Sequence, residues 1–263
     1  MIARIFPTKT NQSPSDKHTY FNAPDLFTPK YDEAHISITF SWDIDEGYRL
    51  AEEWKTHAKT VKIGGVAING ESKKPFEAGM YLKTGITITS RGCPNNCSYC
   101  LVGNKLIEFD RFPEGNIVQD NNILACSDRH WNLVISMLKK QKAIEFRGGL
   151  ESRRITSKKA DDMRSLNIKS LWLACDSDSA IKPLEEAVKK LKKAGFKDSH
   201  LYCFVLIGKE EQRLRAVREM GIMPFAQLYM KSERQKTIYT KEMQRYQRIM
   251  ARPAVTRNIF SGR

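Results

Sequence analysis

From residue 85 onward, short apolar runs alternate with longer stretches in which apolar positions recur every three or four residues. The short runs begin near Ile86, Asn116, Ile144, Leu171, Leu201 and Pro224. The helical periodicity covers about 128–141, 158–166, 182–194 and 211–220. Pro183 sits near the start of the third helix, Gly195 follows its end and Gly221 closes the fourth, each where a helix boundary favours that residue. Strands and helices alternating at this period predict an α/β core of parallel βαβ units. In such a core the chemistry gathers at the carboxyl ends of the strands.

Upstream, His35 to Ser41 alternates apolar and polar residues and predicts a strand. Asp45 then caps a predicted helix to about Lys59, with Tyr48, Leu50, Ala51 and Trp54 as its apolar stripe, and Val61 to Ile68 predicts a second strand. Residues 1–33 are rich in Pro, Thr, Ser and Asn and are expected to form an irregular arm. Residues 231–263 form a basic tail with a predicted amphipathic helix through 240–250, which either covers the core or reaches toward a phosphate backbone. The expected division is an N-terminal arm and β-α-β extension at 1–84, a core at 85–230 and the tail at 231–263.

With 263 residues the chain can bury a proper core. No apolar run is long enough for a membrane span, so no membrane partner is expected. There is no disulfide framework of spaced cysteines, which points to the reducing cytoplasm. Lys and Arg number 44 against 30 Asp and Glu, a net charge of +14. That excess favours a polyanionic partner such as a nucleic acid, although runs like Lys189-Lys190-Leu191-Lys192-Lys193 equally suit a solvated helix face.

The concentrated chemistry lies in Thr89-Ser90-Arg91-Gly92-Cys93-Pro94-Asn95-Asn96-Cys97-Ser98-Tyr99-Cys100, whose cysteines have the spacing C-x3-C-x2-C. Three close thiols among turn formers favour metal over disulfides. A cubane [4Fe–4S] cluster normally takes four thiolates, so three leave one iron open for chemistry. A zinc knuckle would need a fourth Cys or His, and residues 101–125 contain neither, while Cys126 and His130 lie beyond a predicted strand. Cys126, Cys175 and Cys203 fall in or beside predicted strands and are expected to be small buried apolar residues.

This stretch resembles the signature of the radical S-adenosylmethionine (SAM) superfamily, which places an aromatic before the last cysteine, as Tyr99 does here. Ser90-Arg91-Gly92-Cys93-Pro94 looks like the subgroup whose cores follow a cobalamin-binding type of domain. The resemblance covers roughly residues 35–230 and implies a partial (β/α)6 TIM-like barrel. It also implies that the N-terminal β-α-β piece is the last part of a Rossmann-like domain whose front half is missing. Cys93, Cys97 and Cys100 would hold a [4Fe–4S] cluster whose open iron chelates SAM. An electron from a reducing donor would then cleave SAM to a 5'-deoxyadenosyl radical. Cobalamin itself is not expected: Asp16-Lys17-His18 begins like a D-x-H-x-x-G ligand motif, but Phe21 stands where Gly belongs.

The same resemblance assigns SAM contacts strand by strand. Asp120-Asn121-Asn122 occupy the place of the motif that meets the SAM amino group, although the family's Gly-Gly-Glu is absent. Glu151 and Arg153 either face the SAM ammonium and carboxylate or form a plain ion pair. Asp176 or Ser177 would bond the ribose, while Asp178 and Ser179 suit a helix cap. In Phe204-Val205-Leu206-Ile207-Gly208-Lys209-Glu210-Glu211, the residues Leu206, Gly208 and Glu211 align with the adenine-contacting G-x-I-x-G-x-x-E, and Phe204 replaces its first Gly. Gln227 and Tyr229 are expected at the barrel mouth. No motif names the catalytic residues beyond the cluster, or the reaction. The expected substrate is a nucleic acid or nucleotide; the alternatives are a peptide or small metabolite, or a non-enzymatic, metal-stabilised nucleic-acid-binding module.

Overall fold

The computed structural model describes residues 1–69, 81–100, 102–207, 212–229 and 239–259. The chain divides into two compact units, Met1–Ile86 and Thr87–Arg263.

The first unit is built on four strands, β1 (Ile2–Ile5), β2 (Thr19–Tyr20), β3 (Tyr31–Ser37) and β4 (Ala58–Gly64), with helices α1 (Ile44–Trp54) and α2 (Val66–Asn69). The strands run in the order β2-β1-β3-β4, and every pairing is parallel. Residues 1–33 therefore do not form an irregular arm throughout. Two short strands lie within them, β1 beside β3 and β2 on the outer side of β1, and a four-residue and a two-residue strand are too short to show a period. The strand expected at His35 to Ser41 starts earlier, at Tyr31, because β3 lies between β1 and β4 and is buried across its middle, which erases the alternation. Helix α1 stops at Trp54 rather than Lys59, and the β-branched residues Thr60, Val61 and Ile63 continue as β4. Leu50, Ala51 and Trp54 meet Ile5, Ile36 and Ile38 in one core, whereas Tyr48 is 49% exposed and lies outside the stripe.

The second unit carries the longer sheet. Its elements in chain order are β5 (Gly85–Thr87), β6 (Ser90–Arg91), β7 (Ile107–Glu108), β8 (Gly115–Val118), α3 (Asp128–Leu138), β9 (Ile144–Leu150), α4 (Ser157–Arg164), β10 (Ile168–Cys175), α5 (Ile181–Lys193), β11 (Leu201–Ile207), α6 (Gln212–Glu219), β12 (Met223–Leu228), α7 (Lys241–Met250) and α8 (Pro253–Ile259). Six strands form one sheet in the order β12-β11-β10-β9-β8-β5, and the pairings from β8 to β12 are parallel. All six strands expected from the apolar runs are present, and the order never reverses. The fold is thus α/β with sequential parallel strands.

Alternate residues of these strands, among them Leu171, Leu173, Leu201, Cys203 and Val205, are fully buried in one core with Trp131 and Leu138 of α3, Met163 of α4, Leu184 and Leu191 of α5, and Leu214 of α6. Helices α3 to α6 thus cover one face of the sheet. Ser127 caps α3 and Thr156 caps α4, each hydroxyl accepting a backbone N–H of the first turn at 3.2 Å. The predicted tail helix is α7, and it covers the core: Met250 is buried, Tyr246 packs against the same cluster, and Gln247 donates to the Ala226 carbonyl of β12 at 3.0 Å. Its cations Arg245 and Arg248, with Arg252 beyond it, face outward.

Candidate cofactor cleft

The cysteine loop is tied at its base by the two-stranded antiparallel hairpin of β6 and β7. Gly92 enters the loop with φ +80°, and a Cβ there would lie 1.8 Å from the Lys105 carbonyl oxygen, so only glycine fits. The Cys93 N–H closes the far side on the Gly103 carbonyl at 3.1 Å.

Residues after β8 hold the loop from below. Asp120, 2% exposed, accepts the Thr89 N–H at 2.7 Å, the Thr89 hydroxyl at 2.5 Å and the Ser90 hydroxyl at 2.8 Å. Burial pushes its carboxyl above the ordinary range, against the pull of these donors. Next to it, the Asn121 side-chain oxygen accepts the Gly92 N–H at 3.0 Å. Asp120 and Asn121 therefore position the cysteine loop. A close approach of two chain segments locks this arrangement, since a Cβ on Gly148 would lie 1.8 Å from the Asp120 carbonyl oxygen.

The loop opens into a cleft of about 840 Å³. Cys93, Cys97, Tyr99 and Cys100 line it from the loop, and Gln119 to Asn122 from the end of β8. Arg147, Gly148 and Gly149 contribute from β9 and Glu151 to Arg153 from just past it, Ala174 from β10 with Asp176, Ser177, Ser179 and Ala180 beyond its end, Phe204 from β11 and Gln227 from β12. These are the carboxyl ends of the parallel strands for the most part, where ligands of open α/β sheets bind.

Two of the sulfurs accept N–H groups: Cys93 from the Asn122 amide at 3.2 Å and Cys100 from the Val102 backbone at 3.4 Å. Asn122 is 5% exposed and also donates to Glu151 at 2.7 Å, while its side-chain oxygen has no hydrogen-bond partner. The Ser152 hydroxyl, on another wall of the cleft and 7% exposed, is likewise without one. Among the described residues, no group of three or more His, Cys, Asp or Glu side chains is drawn together to hold a metal ion.

Glu151 and Arg153 are present as an ion pair, at 2.8 Å, with Arg154 on the other carboxylate oxygen at 2.7 Å. Burial pushes the Glu151 carboxyl up, but hydrogen bonds from Asn122, Asn95 and Arg154 outweigh it and hold it below the ordinary range. The Tyr99 ring hydroxyl meets Cys97 of its own loop and Ser177, just past the end of β10; burial and the Cys97 contact raise its pKa to about 12. Asp176 lines the same wall, and burial pushes its carboxyl up against the opposing charge of Arg213. Ser177 bonds Ser179 hydroxyl to hydroxyl at 2.9 Å.

Leu206 lies in β11 opposite Gln227 of β12, half-buried, and is not among the residues lining the cleft. Gly208 and Glu211 lie outside the described residues. Phe204, singled out in the sequence only as a departure from a motif, lines the cleft instead, with Gln227. Tyr229 lies beyond the end of β12 and is not a lining residue. Arg147 and Ser152 escaped the sequence reading. Their one signal was position: Arg147 precedes Gly148-Gly149 near the carboxyl end of β9, and Ser152 follows that end.

The other three cysteines belong to the core. Burial raises the thiol pKa of Cys126 and of Cys175 to about 11, and that of Cys203 well above its ordinary value. They stay protonated, which a thiolate ligand cannot be. No helix among the described residues is long and apolar enough to cross a membrane. The chain matches no protein-family model, no curated protein and no solved structure. Any functional reading therefore rests on its own residues.

Proposed function

We propose that this chain is a radical SAM enzyme, with the six-stranded sheet of the second unit as a partial (β/α)6 barrel and a [4Fe–4S] cluster held by Cys93, Cys97 and Cys100. One observation carries the reading: the C-x3-C-x2-C loop lines a cleft at the carboxyl ends of sequential parallel strands, with N–H groups already placed on two of its sulfurs. Such donors stabilise sulfur carrying negative charge and tune a cluster's potential. The buried oxygen of Asn122 suits the group as well, because an acceptor without a partner beside Cys93 fits an ammonium such as that of SAM. Of the residues the resemblance proposes as SAM contacts, Tyr99, Asp120, Asn121, Asn122, Glu151, Arg153, Asp176 and Ser177 line the cleft.

Cys93, Cys97 and Cys100 would hold the cluster, which, once reduced by an external donor, would supply the one electron for cleavage of a carbon–sulfur bond of SAM to methionine and a 5'-deoxyadenosyl radical able to take hydrogen from the substrate. The chain's own work is to hold and shield. Asp120 and Asn121 fix the loop, Asn122 orients Cys93, and Tyr99 closes the wall toward Ser177. The test is anaerobic reconstitution with iron and sulfide. About four iron and four sulfide per chain are expected, the stoichiometry of a cubane, with release of 5'-deoxyadenosine from SAM under a strong reductant. Stoichiometric zinc with no iron, or intact SAM, would sink the reading.

A further inference from the structure

The face of the six-stranded sheet opposite helices α3 to α6 carries a row of aromatic rings. On β10, β11 and β12 the positions alternating with the buried aliphatic residues include Trp172, Tyr202, Phe204 and Phe225, all partly exposed, alongside Ala174, Leu206 and Gln227. Side chains on alternate strand positions point to opposite faces, so the four rings share one face. Trp172 stacks on Tyr202 and on Phe204 at 4.7 Å between centroids, with interplanar angles of 17° and 26°. Phe225 meets Trp172 and Phe204 edge-on at 5.7 and 5.9 Å. The row reaches the cleft through Phe204. Beside it, Gly149 leaves its place on β9 without a side chain, its nearest neighbours there being Ala174 and Phe204 at 3.8 Å.

The same face is cationic at its other side. Glu145 accepts Arg147 at 2.7 Å, Lys169 at 3.0 Å and Ser170 at 3.1 Å, and the Trp172 indole N–H donates to Ser170 at 3.1 Å. Two cations on one carboxylate leave an excess positive charge next to the ring row. Arg147 and Lys169 keep side-chain exposures of 44% and 62%. Stacked rings beside exposed cations match a ligand that alternates planar rings with negative charges. A peptide or an aliphatic metabolite has no such alternation.

We propose that this face binds single-stranded nucleic acid, with a base added to the Trp172–Phe204 row over Gly149 and the phosphates near Arg147 and Lys169. Every base has a π-face, so such a row holds a strand with little regard to sequence, and a duplex, whose bases are already stacked, cannot use it. The proposal names the substrate class of the cleft described above, and rests on that reading only for what happens to the bound strand. Binding can be measured without it.

The test is fluorescence anisotropy of the full chain with an end-labelled single-stranded DNA, the RNA of the same sequence, the duplex form and, as a competitor without bases, inorganic polyphosphate. Either single strand should bind more tightly than the duplex. Trp172→Leu should weaken it roughly tenfold, within the range that loss of one base–aromatic stack carries, and Phe225→Leu, which removes the ring set edge-on against Trp172 and Phe204, should weaken it severalfold. Trp172→Phe should retain most of the affinity, and none of the three should change competition by polyphosphate. Circular dichroism confirms that each variant folds, and Phe225→Leu stands in if Trp172→Leu does not. Equal affinity of the strands for wild type and leucine variants would overturn the proposal, as would preference for duplex. Weakened SAM binding in those variants with unchanged strand binding would assign the rings to adenine and overturn it too. Ring-dependent binding of a chain that never cleaves SAM would leave this inference standing and remove the radical-enzyme reading; SAM cleavage without ring-dependent binding would do the reverse.

Discussion

Asn122 donates its side-chain N–H to the sulfur of Cys93 at 3.2 Å, and the oxygen of the same amide is buried without a partner. One side chain thus carries both a donor on the thiol and a buried acceptor whose bond is unmet. Asn122→Ala removes both functions. The expected result is a cluster that still assembles on three cysteines but has a more negative reduction potential, because an N–H dipole that favours the extra electron is gone. SAM should bind about tenfold more weakly, as for loss of one hydrogen bond to a charged group. Potentiometry and SAM titration check the two effects separately. An unchanged potential would mean that the N–H to sulfur contact is incidental.

The six cysteines should separate cleanly by chemistry. Cys126 and Cys175, with thiol pKa values near 11, are about one part in a thousand thiolate at pH 8, and Cys203 is less ionised still. After metal removal by a chelator, iodoacetamide at pH 8 should label Cys93, Cys97 and Cys100 and leave the other three untouched until the chain is denatured. Loading iron and sulfide should then protect the first three. Peptide mass spectrometry reads both patterns. Labelling of Cys175 in the native chain would place it outside the core.

What the sequence made legible was the repeating part. Six apolar runs and the helices between them could be read because each strand carries its own β-branched or aliphatic signal and each helix its own period. The strands within residues 1–33 are not legible because β1 and β2 are short, and the pairing of β1 with β3, and of β2 with β1, is a tertiary fact that no local pattern carries. In the cleft, the cysteines announced themselves by spacing. Asp120 and Asn122 were found together, but their different roles were not, since only packing decides that Asp120 turns both oxygens to Thr89 and Ser90. Glu151 and Arg153 were left between two roles, and the fold brings them together as an ion pair. The aromatic row was invisible because its members come from three strands whose order had to be known first.

Gly92→Ala tests how much the loop depends on one backbone conformation. At φ +80° a side chain is strained, and its Cβ would press into the Lys105 carbonyl at 1.8 Å, so the loop must shift. The cost is on the order of 1–3 kcal/mol, as for a residue forced into a sparsely populated conformation. Because Gly92 lies in the loop and not in the core beneath the helices, thermal unfolding should drop by only a few degrees. Iron retention after gel filtration should fall much further. A variant that keeps full iron would show that the loop tolerates rearrangement around Gly92.

Glu145 ties its strand to the next through charge, which gives stability a sign with pH. Burial pushes its carboxyl up, but the hydrogen bonds and charges of Lys169 and Arg147 pull harder and hold it below the ordinary carboxylate range. A depressed pKa means that the folded chain favours the ionised form more than the unfolded chain does. The resulting stabilisation is complete above the ordinary glutamate range and disappears as pH falls through the lower, folded value. Glu145→Gln removes the charge and leaves Arg147 and Lys169 without it. Near pH 7 the variant should be less stable by about 1–3 kcal/mol, the worth of hydrogen bonds to a charged group. The difference from wild type should be constant down to about pH 5 and shrink below it. Urea unfolding of both chains at a series of pH values measures that difference directly. A gap that stays constant to the acid limit would show that Glu145 is held by shape alone, and that its two cations stand free to meet something else.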